Sequence, residues 1–239
     1  MELHFLGRGA AFFPTEGNTA AYIREGERLL LLDCGETVFA RLICAGALEG
    51  VQEVFVAVSH LHGDHCASLG TLALYCFFRL GTKLKLVLPK GQDAYAQAVF
   101  RLLDTFGVGE CCYQQVSPHD VAGFQSFTAF DYVETVHDPH MACFSFVFET
   151  PKGGVFYSAD TNRTMELTAF LKRHEQIDAL YMEATDEDYP GNVHLPLDQR
   201  AAAVPKELMQ KTFLMHFNSH QCMQKARAMG FSIVQPDIA

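Results

Sequence analysis

The chain has 239 residues, with 18 lysines and arginines against 28 aspartates and glutamates, a formal net charge of −10, and 49% apolar side chains. That length and composition supply one sizeable core and exclude a disordered chain, while the negative balance argues against general affinity for polyanions or anionic membrane surfaces. The opening MELHFLGRGA has no basic segment followed by a long apolar one, no apolar run nears the roughly 20 residues of a membrane helix, and eight cysteines follow no regular disulfide spacing, so a reducing cytoplasm is the expectation.

Strand signals open the chain at residues 3–7, 19–24 and 28–34, with Gly17, Asn18 and Gly26 supplying turns. Residues 36–46 read as a helix and VQEVFVAV at 51–58 as a buried strand. After the stretch SHLHGDHC, residues 66–80 read as one largely buried helix, LKLVLP as a short strand, and 92–106 as a helix ended by Gly107. The second half begins with the β-rich segments FTAFDYVETV, ACFSFVFET and GVFYSAD. A helix near 164–174, the strand IDALYMEA, a helix near 196–210 and the strand TFLMHF close the chain. Strands and helices alternate without a linker, repeat or low-complexity segment, which predicts a single α/β domain of layered sheets over residues 1–239.

Residues 59–66, SHLHGDHC, place three histidines and an aspartate directly after a buried strand. His60 and His62, two apart on the end of that strand, should project to one side. Gly63 is expected to turn the chain sharply, so that Asp64 and His65 leave in another direction. Four ligand-type side chains so arranged suit two metal ions, whereas the competing reading is a hydrophilic cap on the following helix with Asp64 near its N-terminus. Cys66 beside them reads as a packing residue, and the adjacent Cys111 and Cys112 are poorly placed to share a metal.

HxHxDH after an apolar strand resembles the metal-binding motif of metallo-β-lactamase-fold hydrolases, and the resemblance implies a four-layer αβ/βα sandwich, α/β (α+β) in class, with metals at the edge between the sheets. Further motifs match one at a time. VETVHDPH offers His137 or His140 as the next histidine; His137 is preferred because the strand leads straight into it and a CF pair follows where related proteins often have GY. GVFYSADT supplies Asp160 as a bridging carboxylate, and TFLMHFNS supplies His216. Taken alone, Asp160 could instead cap the helix after it and His216 could be a core histidine. His4, His119 and His174 have no such support and read as surface or loop residues.

Within that superfamily the chain is most similar to ribonuclease Z-type phosphodiesterases, through FLGRGAAFFPTEGNTAAYI and LLLDCGE. MEATD brings Glu183, and NVHLPLDQRAA brings His194, which the resemblance assigns to proton transfer; taken alone, His194 lies in a Gly/Asn/Pro loop and would be solvent-exposed. Departures matter as much. Only 22 residues separate His137 from Asp160, which leaves no room for the arm with which those enzymes grip transfer RNA. Met182 and Leu195-Pro196 replace a histidine and Ser-Thr, and His220 stands where an arginine is typical, removing a permanent positive charge.

The resemblance therefore implies a dinuclear hydrolase, a phosphodiesterase for a small-molecule or short nucleotide substrate. His60, His62 and His137 would hold one ion, Asp64, His65 and His216 the other, and Asp160 would bridge. Asp64 counts also among the catalytic groups, with His194 and Glu183. A hydroxide between two divalent ions, zinc preferred and manganese or iron as alternatives, would attack phosphorus, and His194 aided by Glu183 would protonate the leaving oxygen. The rival readings are a thioester or lactone hydrolase on the same metals and a non-catalytic metal sensor or scaffold. Phe12, Phe13, Tyr189 and FQSF at 124–127 are candidates to line a pocket, and the loop around 185–193 is a candidate lid or homodimer contact.

Overall fold

The computed structural model describes residues 1–121 and 123–238. From the N-terminus run β1 (His4–Gly7), β2 (Ala20–Glu25), β3 (Arg28–Leu32), α1 (Val38–Cys44), β4 (Glu53–Ala57), α2 (Gly63–Cys66) and α3 (Leu69–Tyr75). A π-helical turn at Cys76–Leu80, β5 (Leu84–Val87), α4 (Asp93–Thr105) and β6 (Tyr113–Val116) complete the first half. The second half holds β7 (Ala129–Thr135), β8 (Cys143–Thr150), β9 (Gly153–Tyr157), α5 (Met165–Arg173), β10 (Ile177–Glu183), α6 (Leu197–Ala203), β11 (Thr212–Met215), α7 (His220–Ala228) and β12 (Ser232–Ile233).

Two mixed six-stranded sheets result, ordered β1-β2-β3-β4-β5-β6 and β12-β11-β10-β9-β8-β7. Each pairs three strands antiparallel, then continues as a parallel ladder. The continuous apolar runs RLLLL and EVFVA sit in the parallel part, in the register Leu29↔Val54 and Leu31↔Val56, because strands covered on both faces need apolar side chains on both. β9 and β10 divide their residues between two cores by the period of two. Val155, Tyr157 and Ala179 face the first sheet; Phe156, Leu180 and Met182 pack under α5, α6 and α7 with Phe170, Leu197 and Met223. With helices outside each sheet, the molecule is a four-layer αβ/βα sandwich of the metallo-β-lactamase type.

Three expectations change. The helix expected at 66–80 is broken at Ser68, whose hydroxyl donates to the carbonyl of Gly35 and accepts the Phe39 N–H, tying the break to the loop after β3. The helix expected at 196–210 stops at Ala203, because Pro205 cannot continue it, and a 3₁₀ segment at Lys206–Lys211 follows. TFLMHF does not close the chain, since α7 and β12 follow it, and the polar edge strand β6 carries too little apolar signal to stand out in sequence. Gly63 does turn the chain, from extended His62 into α2, and a Cβ there would stand 3.1 Å from Glu36 Oε1.

All the strands that carry the motifs end at one edge. β7 runs in the direction of β9, β10 and β11, so His137, Asp160, Glu183 and His216 arrive there together. The C-terminal ends of β3 and β4 bring Asp33 and the 59–65 segment from the facing sheet. Three residues at this edge, Asp33 (φ 65°), Ala159 (φ 47°) and His216 (φ 55°), have left-handed backbone without being glycine. Such strain persists where surrounding structure fixes it and gathers at functional sites.

A candidate dinuclear metal centre

His60 and His62 stand beyond β4, in the loop that enters α2, and their rings still meet, His60 Nε2 lying 3.0 Å from His62 Nδ1. His137, just past β7, brings its Nε2 to 3.1 Å from the same His62 nitrogen. A second group joins Asp64 and His65, from α2, with Asp160 and His216: His216 Nε2 lies 3.2 Å from an oxygen of each aspartate, and His65 Nε2 3.3 Å from the same two oxygens. Asp160 Oδ2 is also 3.9 Å from His60 Nε2 and 3.7 Å from His137 Nε2, so this one carboxylate touches both groups. In each group the candidate ligand atoms lie within 4.8 Å of one another.

The hydrogen bonds behind the rings set which nitrogen faces inward. Asp33, fully buried, accepts the Ser59 N–H at 2.6 Å, the Ser59 hydroxyl at 2.9 Å and the His65 Nδ1–H at 2.9 Å. Since the single hydroxyl proton of Ser59 goes to Asp33, His60 Nδ1–H must donate to Ser59 Oγ, 3.0 Å away. His137 Nδ1–H donates to the Val193 carbonyl at 2.9 Å. His62 is turned the other way, with Nε2 3.5 Å from Asp138 Oδ2. His60, His65 and His137 thus have one nitrogen held by an acceptor and the other turned to the centre, the usual orientation of metal-binding histidines.

Burial and charge agree with a cation there. Burial pushes His60 well below the ordinary imidazole range, with His65 adding to it, and so keeps His60 neutral. Burial also opposes ionisation of Asp64 and Asp160, but the surrounding imidazoles, His65 first for Asp64 and His216 first for Asp160, outweigh it and hold both carboxyls far below their usual range. Burial opposes protonation of His65 too, and Asp160, Asp64 and Asp33 overcome it, drawing a proton onto the ring that a divalent ion would replace. His65 Nε2 and Asp160 Oδ1 are buried without a hydrogen-bond partner, a state with a cost that a metal ion would remove. The residues present fit a pair of divalent ions with nitrogen and oxygen ligands.

His194 and Glu183 stand against this cluster. The His194 ring centroid is 4.7 Å from that of His137 and 5.3 Å from that of His216, and His194 Nδ1–H donates to Glu183 Oε2 at 2.5 Å. The His194 side chain is 25% exposed, so the free-loop alternative does not hold. Burial lowers its pKa, but the Glu183 carboxylate outweighs that and leaves His194 at about 9. Glu183 Oε1 accepts the Thr161 N–H at 2.9 Å and Arg200 Nη2–H at 3.0 Å, so the carboxylate is fixed from one side and offers its other oxygen to His194. Asp160 does not cap α5, whose N-cap is Thr164, and Asp64 lies past the α2 N-cap, His62.

His140 is exposed and its N–H donates to Asp138, away from the cluster. His220 packs edge-on against Phe13, with Nδ1 3.7 Å from Glu16. Phe12 and Tyr189 line the pocket above the cluster, about 630 Å³, whereas Phe13 and the 124–127 segment do not. Asp33, Ser59, Asp138 and Arg200 escape the sequence reading. Asp33 had a signal, a lone acid ending a run of leucines; Arg200 had none.

A four-layer sandwich with clustered histidines and aspartates at the sheet edge defines a metal-dependent hydrolase of the metallo-β-lactamase superfamily, and it is ribonuclease Z-like without the transfer-RNA arm, since only β8 and β9 lie between His137 and Asp160. The chain belongs to the family described as "Anti-Pycsar protein Apyc1", whose profile matches residues 1–236. It is 29% identical to the Anti-Pycsar protein Apyc1 of Saccharibacillus brassicae over 97% of this chain and 96% of that protein. Its fold is shared with the metallo-β-lactamase fold protein YhfI of Bacillus subtilis (TM-score 0.71, 19% identity, 98% and 96% of the two chains). The short form of human tRNase Z, ELAC1, is similar in fold at TM-score 0.67, 18% identity and 100% and 98% coverage. Among the described residues no helix is long and apolar enough to cross a membrane.

Proposed function

We propose that this chain, working as one domain over residues 1–239, is a dinuclear phosphodiesterase for small or nucleotide-like substrates, with cyclic nucleotides as first candidates. His60, His62 and His137 would hold one ion, Asp64, His65 and His216 the other, and Asp160 would bridge. The observation that carries the reading is the Glu183–His194 pair beside both ligand groups, because a metal-binding sensor or scaffold has no use for an oriented proton donor. The membership of relatives named anti-Pycsar proteins, and the partial likeness to ribonuclease Z of Shouchella clausii (34% identity over 44% of this chain), support phosphorus chemistry over thioester or lactone cleavage.

The ions, when bound, supply Lewis-acid neutralisation of phosphoryl charge and activation of water. The chain's own groups do the rest. Asp33 and Ser59 hold His60 and His65 in the tautomers that face the centre. Arg200 and the Thr161 N–H hold Glu183 Oε1 in place, His194 first and Arg200 after it keep Glu183 ionised against its burial, and Glu183 fixes His194 by Nδ1 so that Nε2 is the nitrogen left for the substrate. With a pKa of about 9, His194 carries its proton near neutrality and delivers it to the departing alkoxide as the bond to phosphorus breaks.

The test is turnover of a bis-aryl phosphodiester and of 3′,5′-cyclic nucleotides by zinc- and manganese-loaded protein, with thioester and lactone controls. Phosphodiester hydrolysis abolished in His62→Ala and reduced about 10²–10⁴-fold in His194→Ala is the expected result. Cleavage confined to thioester or lactone would overturn the substrate class.

A further inference from the structure

His60, His65 and His137 are each aimed by an acceptor behind the ring, but His216 is not. Its Nδ1 makes no hydrogen bond among the described residues, and Glu183 Oε2 stands 3.9 Å from it. The direction of this ring therefore comes from its backbone, which lies in the left-handed region at φ 55° just past the end of β11. A residue with a Cβ stays in that region only where its surroundings hold it. Three hydrogen bonds do so. His216 N–H donates to Thr19 Oγ1 at 3.1 Å, Phe217 N–H donates to Arg8 O at 2.8 Å, and Phe217 O accepts Ala10 N–H at 2.9 Å. The last two join main chain to main chain, so only the first depends on a side chain. Thr19 is 1% exposed, and its hydroxyl gives its single proton to Gly9 O at 3.1 Å, which leaves a lone pair for His216. Gly9 O also accepts the Thr19 N–H at 3.0 Å. Loss of the hydroxyl would leave Gly9 bonded and strip the acceptor from one buried group, the His216 N–H.

We infer that Thr19 is a positioning residue for the metal centre: its hydroxyl holds the His216 backbone in the left-handed form that presents Nε2 to Asp64 and Asp160, 3.2 Å from each. The inference rests on the dinuclear reading and deepens it, because it ties the second ligand group to a residue outside that group. Thr19 precedes β2 in the first sheet, and His216 follows β11 in the second, so one hydroxyl joins the two sheets beside the ions they are to hold. Without that hydroxyl, His216 is free to relax toward ordinary backbone while the centre is empty, and the left-handed form must be regained whenever an ion binds. Relaxation offsets the lost bond in the metal-free protein, so the loss falls on metal binding. Apparent affinity drops by the fraction of molecules in the competent form, and a buried amide stripped of its acceptor makes that drop about 10–100-fold.

The test is zinc and manganese affinity by chelator competition in two variants. Thr19→Val is close to threonine in shape but lacks the hydroxyl, and Thr19→Ser keeps it. Thr19→Val should weaken one ion by about 10–100-fold, and Thr19→Ser should stay near the native value. In a His62→Ala background, which breaks the first ligand group, the remaining ion should show the same loss. Thermal unfolding with and without metal separates positioning from packing. The rise in Tm on adding metal should shrink in Thr19→Val and return in Thr19→Ser, while metal-free melting changes little. Equal falls in metal-free and metal-loaded melting with native affinity, a Thr19→Val protein that does not fold without metal, or a Thr19→Ser protein as weak in metal binding as Thr19→Val would overturn the inference. Two bound ions without turnover of any diester would count against the substrate class, and the affinities would still decide the role of Thr19. A native protein that takes up no divalent ion would overturn the centre, and the role of Thr19 with it.

Discussion

Asp33→Asn should loosen the metal centre although Asp33 is not among its candidate ligands. Its carboxylate accepts three hydrogen bonds, from the Ser59 N–H, the Ser59 hydroxyl and His65 Nδ1–H, and through Ser59 it also fixes His60. Asparagine tolerates the left-handed backbone at φ 65°, so the loop can keep its path, but its amide must turn a donor toward groups that themselves donate. His65 loses the carboxylate that orients and polarises it, and His60 loses the fixed hydroxyl behind it. Removing such a partner typically costs about 10–100-fold in metal affinity, or about 1.4–2.8 kcal/mol. Competition with a chelator for zinc or manganese reads the affinity directly, and thermal unfolding of the metal-free protein shows whether the variant still folds. Asp138→Asn is the internal comparison, because Asp138 meets His62 at 3.5 Å on the exposed side and should matter only a few-fold. A folded Asp33→Asn protein that keeps native affinity would refute the argument that these buried bonds set the inward-facing nitrogens.

Arg200→Met should destabilise the fold by about 3–5 kcal/mol in urea unfolding, because it leaves the buried Glu183 charge without its fully buried partner. Glu183→Gln should return His194 from about 9 toward the ordinary imidazole value near 6.5 in an NMR titration of metal-free protein. The sign follows from the raised value: the pair's stabilisation is fully present below about 6.5 and is lost as pH rises through about 9, and that dependence should vanish in Glu183→Gln. Gly35→Ala should cost metal affinity and stability together, measured by chelator competition and melting, since the added Cβ would stand 1.8 Å from the Asp64 carbonyl oxygen, a backbone atom that cannot step aside.

The legible parts of this molecule are those whose physics is local. Strand runs such as RLLLL and EVFVA declare themselves because both of their faces are buried, and β7 alternates Phe130 and Tyr132 inward against Ala129 and Asp131 outward. HxHxDH is legible because ligand types crowd into one turn. What stays hidden is decided by distant partners. The break at Ser68 depends on the carbonyl of Gly35, and β6 is a strand only because β5 offers it an edge. Nothing near Arg200 in sequence signals that its guanidinium ends fully buried against Glu183, because the pairing joins α6 to β10.

The same distinction explains how the site is put together. The candidate ligands come from four places in the chain, so their positions are set by where β4, β7, β9 and β11 end in the two sheets. What the sheets cannot fix is the direction of each ring. That is left to buried acceptors: Asp33 and Ser59 behind His65 and His60, the Val193 carbonyl behind His137, Arg200 behind Glu183 and hence His194. Strained backbone at Asp33, Ala159 and His216 marks where strand geometry gives way to this local demand. Chemistry here therefore depends on two separable layers, and a substitution in the second can disarm the centre while leaving the fold that positions it intact.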